Sequence, residues 1–265
     1  MSALVDIRDL VVSYPDMARK PLLGAAPRNT VLHGITLAVG RGQIIGIVGE
    51  SGSGKSTLGR AILRLIEPDQ GQIVFDGTDI THLDDRALRA LRPRFQMIFQ
   101  DPMSSLNPRQ TLHRLIATPL AIRGDTQAMD KAANALDRVG LPSRFLARYP
   151  HELSGGQRQR VGIARAIVQS PDFIVADEIA SGLDVSSQAV VLTLLQDIVR
   201  ETGTTLAFIS HDLSVVRRLC DSVVVMAGGK IVEAARTTTL FNTPQSGYTR
   251  KLLEAIPLPE PDQVW

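Results

Sequence analysis

The chain has 265 residues, of which 44% are hydrophobic and 21% charged, and its formal net charge is +2. This composition is typical of an ordinary globular protein with one large domain or two small ones. The near-neutral charge gives no support for nucleic-acid binding by bulk charge. The single cysteine, Cys220, excludes an internal disulfide and a four-cysteine metal site, and we expect it to be a small core side chain in a helix.

Membrane and export signals are also missing from the sequence. No segment reaches the roughly 18 apolar residues that a membrane span needs. Residues 1–6 lack the basic-then-apolar pattern of a signal peptide. We therefore expect the chain to stay in the cytoplasm, so that any membrane role would come through partner subunits.

The first hundred residues predict a series of short strands. Residues 4–14 and 31–39 alternate between apolar and polar side chains, and the irregular stretch 15–30 between them predicts an exposed loop. Further short strands are predicted over 72–75 and 96–99.

A glycine-rich loop separates the apolar run 44–48 from a helical stretch. It fits the phosphate-binding pattern G-x-x-x-x-G-K-[ST], with Gly49, Glu50, Ser51, Gly52, Ser53, Gly54, Lys55, Ser56 and Thr57. Glycines let the backbone fold around phosphate oxygens, and the next helix adds its positive N-terminal end. We expect Lys55 to reach the β- and γ-phosphates and the Ser56 hydroxyl to ligate Mg²⁺. The strand–loop–helix context favours nucleotide binding over a glycine-rich turn that matches by chance.

Beyond residue 100 the pattern becomes helical and then alternates. Residues 101–159, which include the pair Phe145-Leu146, have helical spacing and predict a helical insertion. After the insertion, helices alternate with short apolar strands, which predicts crossover units around a mainly parallel, buried sheet. The predicted helices are 157–169, 186–201 and 213–219, and the predicted strands are 173–176, 205–210 and 223–227.

The end of the chain predicts a hairpin and a helical tail. Gly228-Gly229 closes the hairpin, two short helices on either side of Pro244 follow from residue 237, and the prolines of 257–261 predict an extended end.

Two acids end the strand predicted over 173–176. The strand would deliver Asp177 at its carboxyl edge, where ligands bind in such sheets, so that Asp177 could hold Mg²⁺ through water. Glu178, one residue further on, could polarise the water that attacks the γ-phosphate. Alone, an apolar strand with an acid at its end as often marks the start of a helix. In a chain that also has a phosphate loop earlier in its sequence, this pattern indicates nucleotide hydrolysis.

A second glycine-containing segment, Leu153-Ser154-Gly155-Gly156-Gln157, precedes another predicted helix. Ser154 is suited to cap the helix expected from Gln157, and the glycines permit close approach of a ligand. On physical grounds alone, a capped helix without a ligand is favoured over a second phosphate site.

Together these motifs resemble the ATP-binding-cassette (ABC) family over nearly the whole chain, with residues 153–157 matching its signature sequence. The resemblance implies an α/β P-loop NTPase cassette with a mainly parallel sheet core, an antiparallel β subdomain and a helical insertion. It further implies that two cassettes stack head to tail, with each ATP between one phosphate loop and the other cassette's signature. Ser154, Gly155, Gly156 and Gln157 would then serve a nucleotide held by a partner.

The remaining family positions are present. The resemblance implies that Tyr14 stacks on adenine, where the alternative is an ordinary strand-end tyrosine. It implies that Gln100 senses Mg²⁺ and the attacking water, and that His211 contacts the γ-phosphate. Asp184, in the segment 181–184, matches the loop that crosses the dimer interface.

Two positions depart from the family pattern. Ile179 stands where the family commonly has proline, and Gly182 stands where it commonly has alanine. We expect Gly182 to loosen the interface loop. Neither position removes a catalytic group, so the site is expected to be active.

The chain also resembles one branch of the family. Residues 100–109 are similar to the segment that follows the glutamine in oligopeptide, dipeptide and nickel importers. The basic insertion 15–30 and the tail 247–257 resemble the second, F-type, ATPase subunit of those systems. The resemblance implies an ABC domain over 1–235, with its helical subdomain at about 101–159, and a C-terminal extension over 236–265. The tail departs from the branch at Ser246-Gly247, where His-Pro is usual, and at 233–235.

The resemblance finally implies a machine and its partners. The chain would use ATP and Mg²⁺ on the cytoplasmic face of the inner membrane, paired with a second ATPase that is D-type or a copy of itself. Two permease subunits would bind it, an external solute-binding protein would act indirectly, and no nucleic acid is expected. Peptides are the first expected cargo, with nickel chelates or opines as alternatives. Different interpretations are a cassette ATPase that acts on nucleic acid or ribosomes, and a regulatory subunit that binds nucleotide without hydrolysis.

Overall fold

The computed structural model describes residues 3–20, 24–101 and 105–255. In this part of the chain the strands are β1 (Ala3–Pro15), β2 (Arg28–Gly40), β3 (Ile44–Val48), β4 (Gln70–Phe75), β5 (Thr78–Asp79), β6 (Phe95–Ile98), β7 (Phe173–Asp177), β8 (Thr205–Ile209), β9 (Ser222–Ala227) and β10 (Lys230–Arg236). The α-helices are α1 (Lys55–Ile62), α2 (Asp85–Leu91), α3 (Leu112–Ala121), α4 (Ala128–Arg138), α5 (Gly155–Ile167), α6 (Val185–Thr202), α7 (Leu213–Leu219), α8 (Thr237–Asn242) and α9 (Gly247–Glu254).

These elements form two compact units. The phosphate-loop unit comprises residues 4–20, 24–39, 44–81 and 209–255, and the signature unit comprises residues 3, 40–43, 82–101 and 105–208. Among the described residues, no helix has both the length and the apolar composition that a bilayer crossing requires.

The phosphate-loop unit contains two sets of strands. An antiparallel sheet has the order β2-β1-β4-β5, with Val5 of β1 opposite Phe75 of β4. The second set has the order β10-β9-β3, in which β3 runs parallel to β9 and β10 runs antiparallel to it. Every residue of β3 is buried, as expected for a strand covered on both faces. The predicted hairpin at residues 228–229 is confirmed.

The signature unit contains the strand order β8-β7-β6, with β6 parallel to β7. All residues of β7 and β8 are buried, which agrees with a sequence that is apolar except for Asp177 and Thr205. The helical insertion is confirmed as α3 and α4, whose buried faces pack against each other and against α5. The predicted α/β cassette with a mainly parallel sheet core, an antiparallel β subdomain and a helical insertion is therefore confirmed.

Several predicted details were wrong. The helix expected from Gln157 begins at Gly155, because Ser154 caps it directly. Phe145 lies in a 3₁₀ turn, and Cys220 lies one residue past α7 in extended conformation, although it is buried as expected. The sequence patterns also missed the short elements α2 and β5. Residues 102–104 of the importer-like segment and the proline-rich end lie outside the described residues.

Candidate nucleotide-binding site

At two positions of the phosphate loop, only glycine fits the backbone conformation and its surroundings. Gly49 and Gly54 have φ of 150° and 99°. A Cβ atom on Gly49 would lie 2.1 Å from the carbonyl oxygen of Met226, and one on Gly54 would lie 2.8 Å from a methyl carbon of Leu32. Both the conformation and the surrounding atoms therefore demand glycine here.

Lys55 is the first residue of α1 and lies almost fully inside the protein, with 5% of its surface exposed. Its ammonium group donates hydrogen bonds to the carbonyl oxygens of Gly49 and Glu50, both at 2.8 Å. A buried ammonium group needs such polar partners. The lysine is thus held against the loop, at the positive N-terminal end of the helix.

The loop also contains a buried hydroxyl group that lacks a partner within the described residues. Ser53 is 4% exposed, and its Oγ has no hydrogen-bond partner there. A buried hydroxyl group without a partner is energetically costly. A phosphate oxygen would supply the missing acceptor, so the loop fits a nucleoside phosphate.

Tyr14 lies beside this loop at the end of β1. Its hydroxyl group shares a hydrogen bond with Oγ1 of Thr57 at 3.4 Å. The carboxylate of Asp69 accepts bonds from the backbone N–H and the hydroxyl group of Ser13, at 2.5 and 2.7 Å, and pairs with Arg28 at 2.6 Å. This network fixes the end of β1 and so positions Tyr14. The predicted adenine contact stays a prediction.

In the signature unit, Asp177 and Glu178 lie where the sequence predicted, at the carboxyl end of β7. Asp177 is 5% exposed, and Glu178 has a φ of 49°, in the left-handed region that non-glycine residues seldom adopt. Strained backbone of this kind clusters at functional sites. The amide of Gln100 donates to Oε2 of Glu178 at 3.2 Å, and the hydroxyl group of Ser181 donates to the Glu178 carbonyl oxygen at 2.7 Å.

The signature segment and the segment 181–184 lie next to each other, and each is followed by a capped helix. Ser154 and Gln157 form a capping box, with bonds of 3.3 and 3.0 Å between side chains and backbone N–H groups. Asp184 caps α6 by accepting from the N–H and the hydroxyl group of Ser187, at 2.9 and 2.7 Å. These bonds lower the pKa of Asp184. A Cβ atom on Gly156 would lie 2.9 Å from Oγ of Ser187, so the two helix N-termini are in close contact.

A cavity of about 470 Å³ lies at the same place in the signature unit. Its lining residues are Gln100, Asp101, Gly155, Arg158, Gln159, Ser181, Gly182 and Leu183. Arg158 and Gln159 directly follow the signature segment, but the sequence assigned them no role. The only available signal was their position one and two residues after the signature, on a helix whose faces could not be assigned beforehand.

His211 belongs to the phosphate-loop unit, lies shortly after the end of β8 in sequence, and is exposed. The next residue, Asp212, caps α7 by accepting a hydrogen bond from the N–H of Ser214 at 2.9 Å. Within the described residues, no group of three or more His, Cys, Asp or Glu side chains is arranged to hold a metal ion. The structure thus brings Tyr14 to the phosphate loop and Gln100 to Glu178, while the predicted role of His211 remains a prediction.

Comparison with known proteins identifies the family. The sequence profile of the family described as ABC transporter matches residues 32–181, which is more than half of the chain. The chain belongs to the ABC transporter family. The matched range includes the phosphate loop, Gln100, the signature, and Asp177 and Glu178 at the carboxyl end of β7. Membership of this family makes the chain an ABC ATPase.

Proteins with similar sequences match this ABC protein over most of its length. A Brucella ovis protein named, provisionally, as a peptide import ATP-binding protein is 51% identical over 88% of this chain and 74% of its own length. The oligopeptide transport ATP-binding protein AmiF of Streptococcus pneumoniae is 46% identical over 97% of this chain and 83% of its own length. Among solved structures, the dimeric ABC transporter cassette MJ0796 is 27% identical, with a TM-score of 0.77 over 88% of this chain and 98% of that one.

Proposed function

We propose that this chain is the ATP-binding and ATP-hydrolysing subunit that energises a membrane ABC importer for peptides or related small solutes. The observation that carries the proposal is the identity of 46–51%, over 88–97% of the chain, with proteins named for peptide and oligopeptide import. The phosphate loop supports ATP as the nucleotide, because it has a buried lysine and a Ser53 hydroxyl group without a hydrogen-bond partner among the described residues.

Each candidate residue has a proposed role in the hydrolysis of ATP. The phosphate-loop residues Gly49, Glu50, Ser51, Gly52, Ser53, Gly54, Lys55, Ser56 and Thr57 would hold the phosphates, and Tyr14 would stack on adenine. Glu178 would take the proton from the attacking water, with Gln100 orienting its carboxylate. His211 would contact the γ-phosphate. The hydrogen bond between Gln100 and Glu178 supports this assignment.

Mg²⁺ is proposed as the metal cofactor. Magnesium is usually bound through one or two carboxylates and substrate phosphate oxygens rather than by a cage of protein ligands. The hydroxyl group of Ser56, the side chain of Gln100 and the carboxylate of Asp177 are oxygen donors of the kind that Mg²⁺ prefers. When bound, the ion would neutralise charge that develops on the phosphates.

A partner cassette is needed to complete the site. We propose that Ser154, Gly155, Gly156, Gln157 and Asp184 serve a nucleotide bound by that partner. The capped, closely packed N-termini of α5 and α6 support this role, because they present the signature segment and Asp184 together. The partner is a D-type ATPase subunit or a second copy of this chain.

The importer would contain two permease subunits as well, with an external solute-binding protein acting through them. The chain would then lie on the cytoplasmic face of the inner membrane, as a peripheral subunit. Its ABC domain is proposed to span residues 1–235, with the helical subdomain at about 101–159, and residues 236–265 form a C-terminal extension of the oligopeptide-transporter type.

The test is to tag the chain in its native host, solubilise membranes gently and identify the proteins that copurify. Two polytopic membrane proteins and a second cassette ATPase are the expected result. A parallel preparation of an untagged strain controls for carry-over. Recovery only in the soluble fraction, with ribosomes or DNA-repair proteins, would contradict the importer assignment. Uptake assays with labelled peptides, nickel chelates and opines on the recovered complex then decide between the cargo classes.

A further inference from the structure

The C-terminal helix α9 is joined to the phosphate loop by a hydrogen bond. The backbone N–H of Glu50 donates to the hydroxyl oxygen of Tyr248 at 3.2 Å, although 198 residues separate them in sequence. Tyr248 is in the first turn of α9 and is half-buried. Both residues belong to the phosphate-loop unit. The tail therefore contacts the backbone of the loop itself.

This bond holds one peptide unit of the phosphate loop by its N–H group. The peptide between Gly49 and Glu50 presents its carbonyl oxygen to the Lys55 ammonium group, at 2.8 Å, and its N–H to Tyr248. The carbonyl oxygen of Glu50, in the next peptide unit, also accepts from Lys55 at 2.8 Å. A rotation of the first peptide plane would break both of its bonds. Gly49 precedes it at a φ of 150°, where the chain has the most freedom to turn.

The start of α9 is itself anchored. The carboxylate of Glu233, on β10, accepts hydrogen bonds from the backbone N–H groups of Gln245 and Ser246 at 2.9 and 3.0 Å. Ser246 then caps the helix by accepting from the N–H of Tyr248 at 3.2 Å. Burial would raise the pKa of Glu233, but the hydrogen bonds that its carboxylate accepts, together with the charge of Arg250, outweigh burial and lower that pKa. Glu233 is therefore anionic at neutral pH and holds the segment that carries Tyr248.

We propose that Tyr248 is a positioning residue for the phosphate loop. Its hydroxyl group keeps the Gly49–Glu50 peptide in the orientation in which Lys55 and the loop receive ATP, and Glu233 keeps Tyr248 in place. The C-terminal extension thus sets the affinity of the subunit for ATP without touching the nucleotide. This inference rests on the proposed assignment of the loop to ATP.

The first test uses Tyr248→Phe in the full-length chain, which removes only the hydroxyl group. Loss of one hydrogen bond of this kind should weaken binding of a fluorescent ATP analogue by about fivefold. In the assembled complex, KM for ATP should rise by a similar factor while kcat changes little. Tyr149→Phe is the matched control, because Tyr149 lies in the signature unit and not in the phosphate-loop unit. The affinity of this variant for the ATP analogue should equal that of the wild type.

A double-mutant cycle then tests the anchor. Glu233→Gln replaces one acceptor oxygen by an amide donor, and it should weaken ATP binding by about threefold. If it acts through Tyr248, adding it to Tyr248→Phe should produce almost no further loss. If the losses of affinity from the two substitutions multiply in the double variant, Glu233 does not act through Tyr248, and the positioning role is overturned. Ser246→Ala, which removes the helix cap, carries the same test if Tyr248→Phe fails to fold.

The outcomes separate this inference from the proposed function. An affinity of Tyr248→Phe equal to that of the wild type, with Lys55→Ala severely impaired, would overturn the inference and leave the ATP site standing. A wild-type chain that binds the analogue no better than Lys55→Ala would overturn both.

Discussion

The carboxylate of Glu178 accepts a hydrogen bond from the side-chain amide of Gln100 at 3.2 Å, across 78 residues of sequence. The contact follows from the parallel pairing of β6 with β7, in which Ile98 lies opposite Ala176. Two parallel strands in this register end at one edge of the sheet, so the residues just beyond them meet. Gln100 is thereby placed to orient the proposed base.

Gln100→Ala should therefore slow hydrolysis without abolishing it. The Glu178 carboxylate would lose a hydrogen-bond donor, and a bond to a charged group of this strength predicts a decrease in kcat of about tenfold or more. The measurement is steady-state ATPase activity of the assembled complex. Gln96→Ala is the matched control, because the Gln96 amide donates to the backbone of Arg92 and not to a site residue. An unchanged kcat in Gln100→Ala would remove Gln100 from this role.

Gly182→Ala should destabilise the fold through backbone strain alone. Gly182 has a φ of 75°, and a Cβ atom there would have no neighbour within 4 Å. An alanine in this conformation costs about 1 kcal/mol. Gly162, inside α5 with equally open surroundings, lacks the positive φ, so Gly162→Ala should stabilise by about 0.5–1 kcal/mol. Urea unfolding measures both, and equal stabilities of the two variants would contradict the assigned conformation.

The thiol of Cys220 should be unreactive in the folded chain. It is buried, and burial raises the pKa of the thiol. A thiol reagent should label it only after unfolding. Since the unfolded thiol ionises from about pH 9 and the folded one does not, stability should fall as pH rises above that value. Cys220→Ala should lose this alkaline decline. Rapid labelling of the native chain would contradict the burial.

Glu233 should make the anchoring of α9 sensitive to acid. Its folded pKa lies below its ordinary value, so its stabilising effect is present above the unfolded pKa and is lost as pH falls through the folded one. Hydrogen exchange at residues 245–254, corrected for intrinsic rates, should show protection that is lost as pH falls below about 4.5, the ordinary pKa of the carboxyl group. Glu233→Gln should show weaker protection at neutral pH and no such transition. A transition of the same size in that variant would assign it to another group.

Short-range patterns in the sequence predicted much of this molecule. The glycine spacing of residues 49–57 sufficed for the phosphate loop, because such loops are encoded by consecutive residues. The nearly uniformly apolar segments 173–176 and 205–210 predicted a buried, parallel sheet. The helix cap at Ser154 is likewise local, although the start of α5 was placed two residues late.

Contacts between distant parts of the chain could not be predicted in this way. The resemblance to the importer branch marked Glu233 only as part of a departure at 233–235, yet its carboxylate anchors the residues before α9. The bond between Tyr248 and Glu50 depends on the packing of the tail, which no periodicity encodes. The positive φ of Gly182 was not predicted from the sequence, and the expected loosening of its loop stays a prediction.

The most direct test of the account is ATP-dependent uptake of labelled peptide by the purified complex in proteoliposomes, with wild-type subunit or Glu178→Gln. The account predicts that Glu178→Gln binds ATP as tightly as the wild type while hydrolysis and uptake both fall, by about 10²-fold or more. Lys55→Ala serves as the control that loses binding. Hydrolysis and uptake retained in Glu178→Gln would contradict the assignment of the base. Wild-type complex that hydrolyses ATP without importing any solute would contradict the importer.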